Sequence, residues 1–264
     1  MTRTRPTRAR TLLSAVVLAL LVAATPAAAD IVMSAKSKYV AVKVEVDAAL
    51  RTTPGLFDNL AAEGRKWGEV SRREAEKAYR ENPADFSDGR GWFFERNYIL
   101  LSTAGRYVGV VFTDHVYSGG AHPNTGVDTI LWDTTAKKRV SVRPFFTETA
   151  DNGPTMTALA TLIRTAVAKE KKARDADVAA DPAKDEWLKA IEPSLLKLGP
   201  LVPAPSTEPG KSGGLSIHFS PYAVGSYAEG LYTVVVPWRD FERFLSPEGR
   251  TVFGGTPLPP KKDE

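Results

Sequence analysis

Val40, Val42, Val44 and Val46 alternate with Ala41, Lys43 and Glu45. A period of two with β-branched residues on one side and charges on the other specifies a half-buried strand. Such a strand must pack one face on something else. The next segment, from Pro54-Gly55 to about Tyr79, has a helical period, with Leu56, Leu60, Trp67, Val70 and Ala78 near one face. Gly64 and Gly68 weaken this helix, and their missing side chains allow close approach to a sheet. Strand patterns then dominate. Trp92–Leu101 and Arg106–Phe112 flank Thr103-Ala104-Gly105, and Val127–Trp132 and Arg139–Arg143 flank another turn, so two hairpins are expected.

Asp151-Asn152-Gly153-Pro154 starts a second helix, whose stripe is Met156, Leu159, Ile163, Ala166 and Val167. Lys169, Lys171, Lys172 and Arg174 suit its C-terminal end. A further helix is expected over Ala183–Leu198 with Trp187, Leu188, Ile191 and Leu195 inward, divided by Pro193. Gly199–Gly214 reads as a surface loop, Leu215–Phe219 and Leu231–Val236 as strands, and Trp238–Leu245 as a short helix. Leu215, Ile217 and Phe219 share one face, with Ser216 and His218 on the other. Strands and helices are segregated, not strictly alternating, which specifies α+β with antiparallel sheets and packed helices. The expected division is 1–29 as a signal peptide, 30–125 as a β-α-β module, 126–250 as a β-αα-ββ-α module and 251–264 as a tail.

The signal expectation rests on Arg3, Arg5, Arg8 and Arg10, the apolar run Leu12–Ala24, and Ala27-Ala28-Ala29 before Asp30. The run is short for a membrane span. The whole chain carries a formal charge of +4, and all of it resides in those four arginines. The mature chain is therefore balanced, which removes the electrostatic case for nucleic-acid binding. A periplasmic or secreted protein without stable membrane insertion is expected. The absence of cysteine excludes disulfides and thiolate metal sites.

Chemistry-bearing motifs are sparse. His115 and His122, with Asp114 or Asp128, lack the spacing of a zinc helix, and no metal or other cofactor is expected. Ser118 and His122 lack a nucleophile elbow around the serine. The stretch from Gly225 to Gly230 has no Lys-Ser/Thr after it, so phosphate binding is unsupported. Tyr222, Tyr227, Tyr232 and Trp238 cluster in sequence, and amphipathic aromatics serve at protein or sugar contacts. Tyr227, after a glycine and beside Ser226 and Ala228, is expected to be the more exposed tyrosine, and Tyr222 the more buried.

Two segments carry a resemblance. They are Tyr117-Ser118-Gly119-Gly120-Ala121-His122-Pro123-Asn124 and the run from Phe219 to Gly230, followed by Val235-Val236-Pro237-Trp238-Arg239-Asp240-Phe241. Together they resemble the RsiV-like family of extracytoplasmic domains of unknown function. One member type is the lysozyme-binding region of a membrane-bound anti-sigma factor, and the same modules occur beside peptidoglycan deacetylase domains. The resemblance spans about Tyr39 to Pro247. The stretch before the apolar run is too short for a sigma-binding segment, and no deacetylase motif is present. The resemblance therefore implies a free-standing, non-catalytic binding portion for a lysozyme-type muramidase or a peptidoglycan fragment. Tyr222, Tyr227, Glu229 and Tyr232 are the candidate ligand contacts, and Ser118, Gly119, Gly120, His122 and Asn124 form the motif turn. The alternative is a cell-wall polymer hydrolase or deacetylase accessory that uses His122.

Overall fold

The computed structural model describes residues 29–86 and 89–259. The expected signal peptide lies outside them, apart from Ala29. The architecture is α+β, as the segregated pattern implies. Six strands form one sheet in sequence order: β1 (Ala29–Lys36), β2 (Val40–Asp47), β3 (Trp92–Ala104), β4 (Tyr107–Tyr117), β5 (Asn124–Asp133) and β6 (Lys138–Val140). Three more form a second, antiparallel sheet: β7 (Leu201–Pro203), β8 (Gly214–Phe219) and β9 (Tyr232–Pro237). The helices are α1 (Leu56–Glu81), α2 (Pro154–Ala173), α3 (Trp238–Phe241) and α4 (Pro247–Val252).

The layers run α1, first sheet, second sheet, α2. Val44, Val46, Tyr98, Val110 and Trp132 meet Leu56 and Leu60 of α1. The buried side of α1 also includes Gly64, Gly68, Ser71 and Ala75. A Cβ on Gly64 would lie 2.6 Å from Val44 Cγ1, so these glycines permit the close approach that the sequence suggests. On the opposite side, Gly109 of β4 gives room for Val202 of β7, and Ser102 Oγ donates to Pro203 O at 2.5 Å. Leu215 and Ile217 of β8, Val234 of β9, and Met156, Leu159 and Ile163 of α2 share the larger core.

Several expectations are corrected. The first sheet is mixed: β2 and β3 are parallel, because α1 carries the chain across between them. The strand β1 precedes the first expected one, and its alternation is broken by a bulge between Ile31 and Met33. The helix expected over 183–198 is replaced by single 3-10 turns at Pro182–Lys184, Leu188–Ala190 and Leu195–Lys197. The Asp185 carboxylate accepts from the backbone N–H of Ala179, Trp187 and Leu188, which ties the chain into turns, and Trp187 is exposed, not inward. The supposed loop 199–214 contains β7 and buries Val202, Ala204 and Ser212. The chain past Gly254 is tied down by Trp238 Nε1 donating to Gly255 O and by a bridge between Ser206 and Pro257. The α4 turn is capped by Ser246, whose side chain accepts from Gly249 N. The expected boundary between 125 and 126 falls inside β5, which pairs with β4 on both sides of it. Among the described residues, no helix is long and apolar enough to cross a membrane.

Candidate functional site

The motif turn joins β4 to β5. Gly119 and Gly120 adopt φ of 93° and 97°, a conformation that glycine alone takes without strain. Adjacent glycines in a turn predict at least one left-handed position, and here both glycines take it. Tyr117 donates its hydroxyl to Gly120 O at 3.2 Å and closes the turn. Ser118, His122 and Asn124 are exposed.

The second segment runs from the end of β8 to the start of β9. Ser220 Oγ accepts from Val127 N at 3.0 Å and ties the segment to β5. Val224 and Gly225 are buried beneath it. Ser226 and Glu229 then form a reciprocal capping box around a 3-10 turn, with Ser226 N donating to Glu229 Oε1 at 2.7 Å. A Cβ on Gly225 would sit 2.5 Å from Glu229 Oε2, so only glycine leaves the carboxylate its place.

The fold brings the two segments together. Tyr227 donates its hydroxyl to Pro123 O at 2.6 Å, across 104 residues of sequence. His122 Nδ1 lies 2.8 Å from the same oxygen, and because a carbonyl only accepts, Nδ1 carries the proton. One carbonyl thus pins both rings, which stack with centroids 4.0 Å apart and planes at 28°. Tyr222 continues the row, its centroid 5.6 Å from that of Tyr227.

The exposure order of the tyrosines is the reverse of that expected. Tyr222 is 55% exposed, whereas Tyr227 is half-buried. The reason is local. Tyr222 sits at φ 68°, in the left-handed region, which turns its ring outward, and Tyr227 is drawn onto the motif turn by Pro123.

Beneath the row lies a charged anchor. Lys171 of α2 is fully buried, and its Nζ donates to Glu229 Oε2 at 2.5 Å and to Val224 O at 3.1 Å. Tyr232 donates its hydroxyl to Glu229 Oε2 at 2.7 Å. Burial works against the charged form of Glu229. Hydrogen bonds from Lys171, Tyr232 and the Ser226 amide outweigh it and hold the carboxyl down at about 2. Burial and the neighbouring carboxylate push the Tyr232 phenol upward. Of the four expected ligand contacts, Tyr222 and Tyr227 reach the surface row. Glu229 is mostly covered and Tyr232 is buried, so these two support the row from below.

Lys171 lies in the last turn of α2, as expected, with its side chain buried in the interior. Its burial is legible in the spacing: Ile163, Val167 and Lys171 recur every fourth residue along the apolar stripe. Behind the loop, a cleft of about 690 Å³ is lined by Asp175, Asp177, Asp185, Trp187, Ser226 and Glu229, among others. Asp185 is opposed by burial, yet its backbone donors keep its carboxyl below the ordinary range. Among the described residues, no group of three or more His, Asp or Glu is arranged to hold a metal ion. His115 bonds Thr125 Oγ1 at 3.0 Å, and Asp114 is engaged by Arg96. The remaining histidine, His218, is buried with Ser216 Oγ 3.0 Å from its Nε2 and Thr233 Oγ1 3.2 Å from its Nδ1. Burial pushes its imidazole down to about 4.

Residues 149–239 match the model of a family described as protein of unknown function (DUF3298). That stretch holds α2, the second sheet and the Tyr222–Tyr227 segment, and excludes the motif turn. No curated protein sequence matches the chain. Among solved structures, the chain is similar to a DUF3298 family protein from Pseudomonas aeruginosa PAO1, with a TM-score of 0.51 and 14% identity over 87% of this chain and 98% of that one. It is also similar to a member of the DUF3298 family from Bacteroides fragilis NCTC 9343, with a TM-score of 0.52 and 14% identity over 86% of this chain and 97% of that one. At this identity the likeness is one of fold.

Proposed function

We propose that this chain, whose α2-to-β9 portion matches the DUF3298 model, is an exported, RsiV-like, non-catalytic binding protein of the cell envelope. Its contact surface is the row His122–Tyr227–Tyr222, and its ligand is a peptidoglycan fragment. The observation that carries this reading is the pinning of the row. Two rings held by one carbonyl, and a third turned outward by a strained backbone, form a contact surface ordered before any ligand arrives. Ring faces of this kind suit the apolar faces of sugar rings, and their polar edges suit the hydroxyls.

Export is supported by the basic and apolar composition of residues 1–29. Cleavage after Ala29 would leave Asp30–Lys36 to pair with β2.

A binding role is favoured over hydrolysis by the state of the nearby acids. Asp185 and Glu229 are both held ionised by donors, whereas a general acid needs its pKa raised. His122 has its Nδ1 committed to Pro123 and its ring to Tyr227.

A second reading, a lysozyme-type protein as ligand, is favoured by one feature: the carboxylate-lined cleft beside the row complements a basic partner. Calorimetric titration of the mature chain with a soluble disaccharide-peptide fragment of peptidoglycan, and separately with purified lysozyme, tests both. Saturable binding of the fragment that weakens in Tyr222→Ala supports the first reading. Binding of lysozyme alone moves the second into its place.

A further inference from the structure

We propose that Lys171 is the positioning residue of the aromatic row: from inside the protein it fixes the loop so that Tyr227 stays on His122 and Tyr222 faces outward. Its consequence for ligand binding rests on the proposed role of the row as a contact surface; its consequence for the loop does not.

The ammonium of Lys171 is fully buried at the C-terminal turn of α2. Its two acceptors, Val224 O and Glu229 Oε2, bracket Tyr227 in the chain. Glu229, which Tyr232 also holds, in turn closes the capping box on Ser226, so Lys171 ties both ends of the turn that carries Tyr227 to α2. Arg174, one turn further on, adds a bond to Leu231 O at 2.8 Å and lies over the Tyr232 ring. An apolar side chain would fill the slot of Lys171 without the cost of burying a charge. It could not hold a loop carbonyl and a carboxylate at once. The lysine therefore serves the placement of the loop more than the packing of the core.

The chain has three histidines, which makes their ring resonances a direct readout. His122 reports the stack on Tyr227. His218, buried against Ser216 and Thr233, reports the fold. Tyr227→Ala supplies the unstacked position of the His122 signal. The variants compared are Lys171→Met and the double variant Lys171→Met with Glu229→Gln, which removes both charges of the Lys171–Glu229 pair and so separates stability from placement. In both, the His122 resonance is expected to move to its Tyr227→Ala position while His218 stays at its wild-type position. Binding of the disaccharide-peptide fragment should weaken about tenfold, the scale of losing one well-placed interface aromatic. A His122 signal that stays at its wild-type position in either folded variant overturns the proposal. Loss of the native His218 signal in both also overturns it, since Lys171 then belongs to the fold and not to the loop. If wild-type protein binds no fragment, the binding-face reading fails, and the histidine signals still decide the role of Lys171.

Discussion

Tyr227 and His122 stack 4.0 Å apart because both bond the same carbonyl, that of Pro123. Two segments that are separate in sequence thus make one surface. The stability cost of each ring depends on how it is held.

Tyr222 is exposed and its backbone is left-handed. Tyr222→Ala should leave the melting temperature unchanged, and Tyr222→Gly should raise stability by about 1 kcal/mol through relief of strain. Tyr227→Ala removes a hydrogen bond and a stack, and should cost about 1–2 kcal/mol. Thermal unfolding of the three variants checks the order. A larger loss in Tyr222→Ala than in Tyr227→Ala would contradict it.

His218 gives a pH dependence of defined sign. Its folded pKa, about 4, lies below the ordinary value of 6.5, so the unfolded chain binds the extra proton first. Its contribution is complete above pH 6.5, declines as pH falls through the window from 6.5 to 4, and is lost below. The full effect is about 3 kcal/mol. Glu229, depressed to about 2, acts in a lower window, below its ordinary value of 4.5. Denaturant unfolding at about pH 7 and about pH 4.5 should show the loss in wild-type protein and a much smaller one in His218→Gln.

Gly64 and Gly68 separate two kinds of close contact. A Cβ on Gly64 would press on Val44 Cγ1 at 2.6 Å and on the Tyr98 ring at 3.3 Å, neither of which can move aside. A Cβ on Gly68 would press hardest on the thioether end of Met33, which can move, and would lie 3.0 Å from Val42 Cγ1, which would need to give by only a few tenths of an ångström. Alanine gains up to about 1 kcal/mol of helix propensity at either site, against about 1–3 kcal/mol for overpacking. Gly64→Ala should therefore destabilise by about 1 kcal/mol and Gly68→Ala by less, as read from unfolding midpoints in urea.

Export has its own test. Leu18→Arg places a charge in the apolar run of residues 12–24. Full-length precursor should accumulate in the cytoplasm, and N-terminal sequencing of wild-type protein from the envelope or medium should begin at Asp30. Normal export of the variant would refute the signal reading.

The legible part of the fold is the part with regular periodicity. The valine alternation of β2, the span of α1 and the hairpins of the first sheet all show in the sequence. So does the left-handed geometry at Gly119 and Gly120, because adjacent glycines in a tight turn leave few alternatives. The illegible part is set by tertiary contacts. β7 is three residues long and exists because β8 pairs with it. The turns over 182–197 exist because Asp185 captures backbone amides that a helix would have used. Both motif segments stand out in sequence, but their contact does not, since nothing local encodes a bond from Tyr227 to Pro123. Lys171 reads as one of several basic residues that suit the end of α2, although its four-residue spacing from Val167 places it on the buried stripe.

The row His122–Tyr227–Tyr222 is proposed as a preformed binding face for a peptidoglycan fragment. Its most direct test is titration of the mature protein with the disaccharide-peptide fragment, wild type beside Tyr222→Ala, since the Tyr222 side chain is exposed and outside the core. Saturable binding by the wild type is expected, with a loss of affinity of about tenfold or more in the variant at unchanged melting temperature. Equal affinity of the two proteins would contradict it.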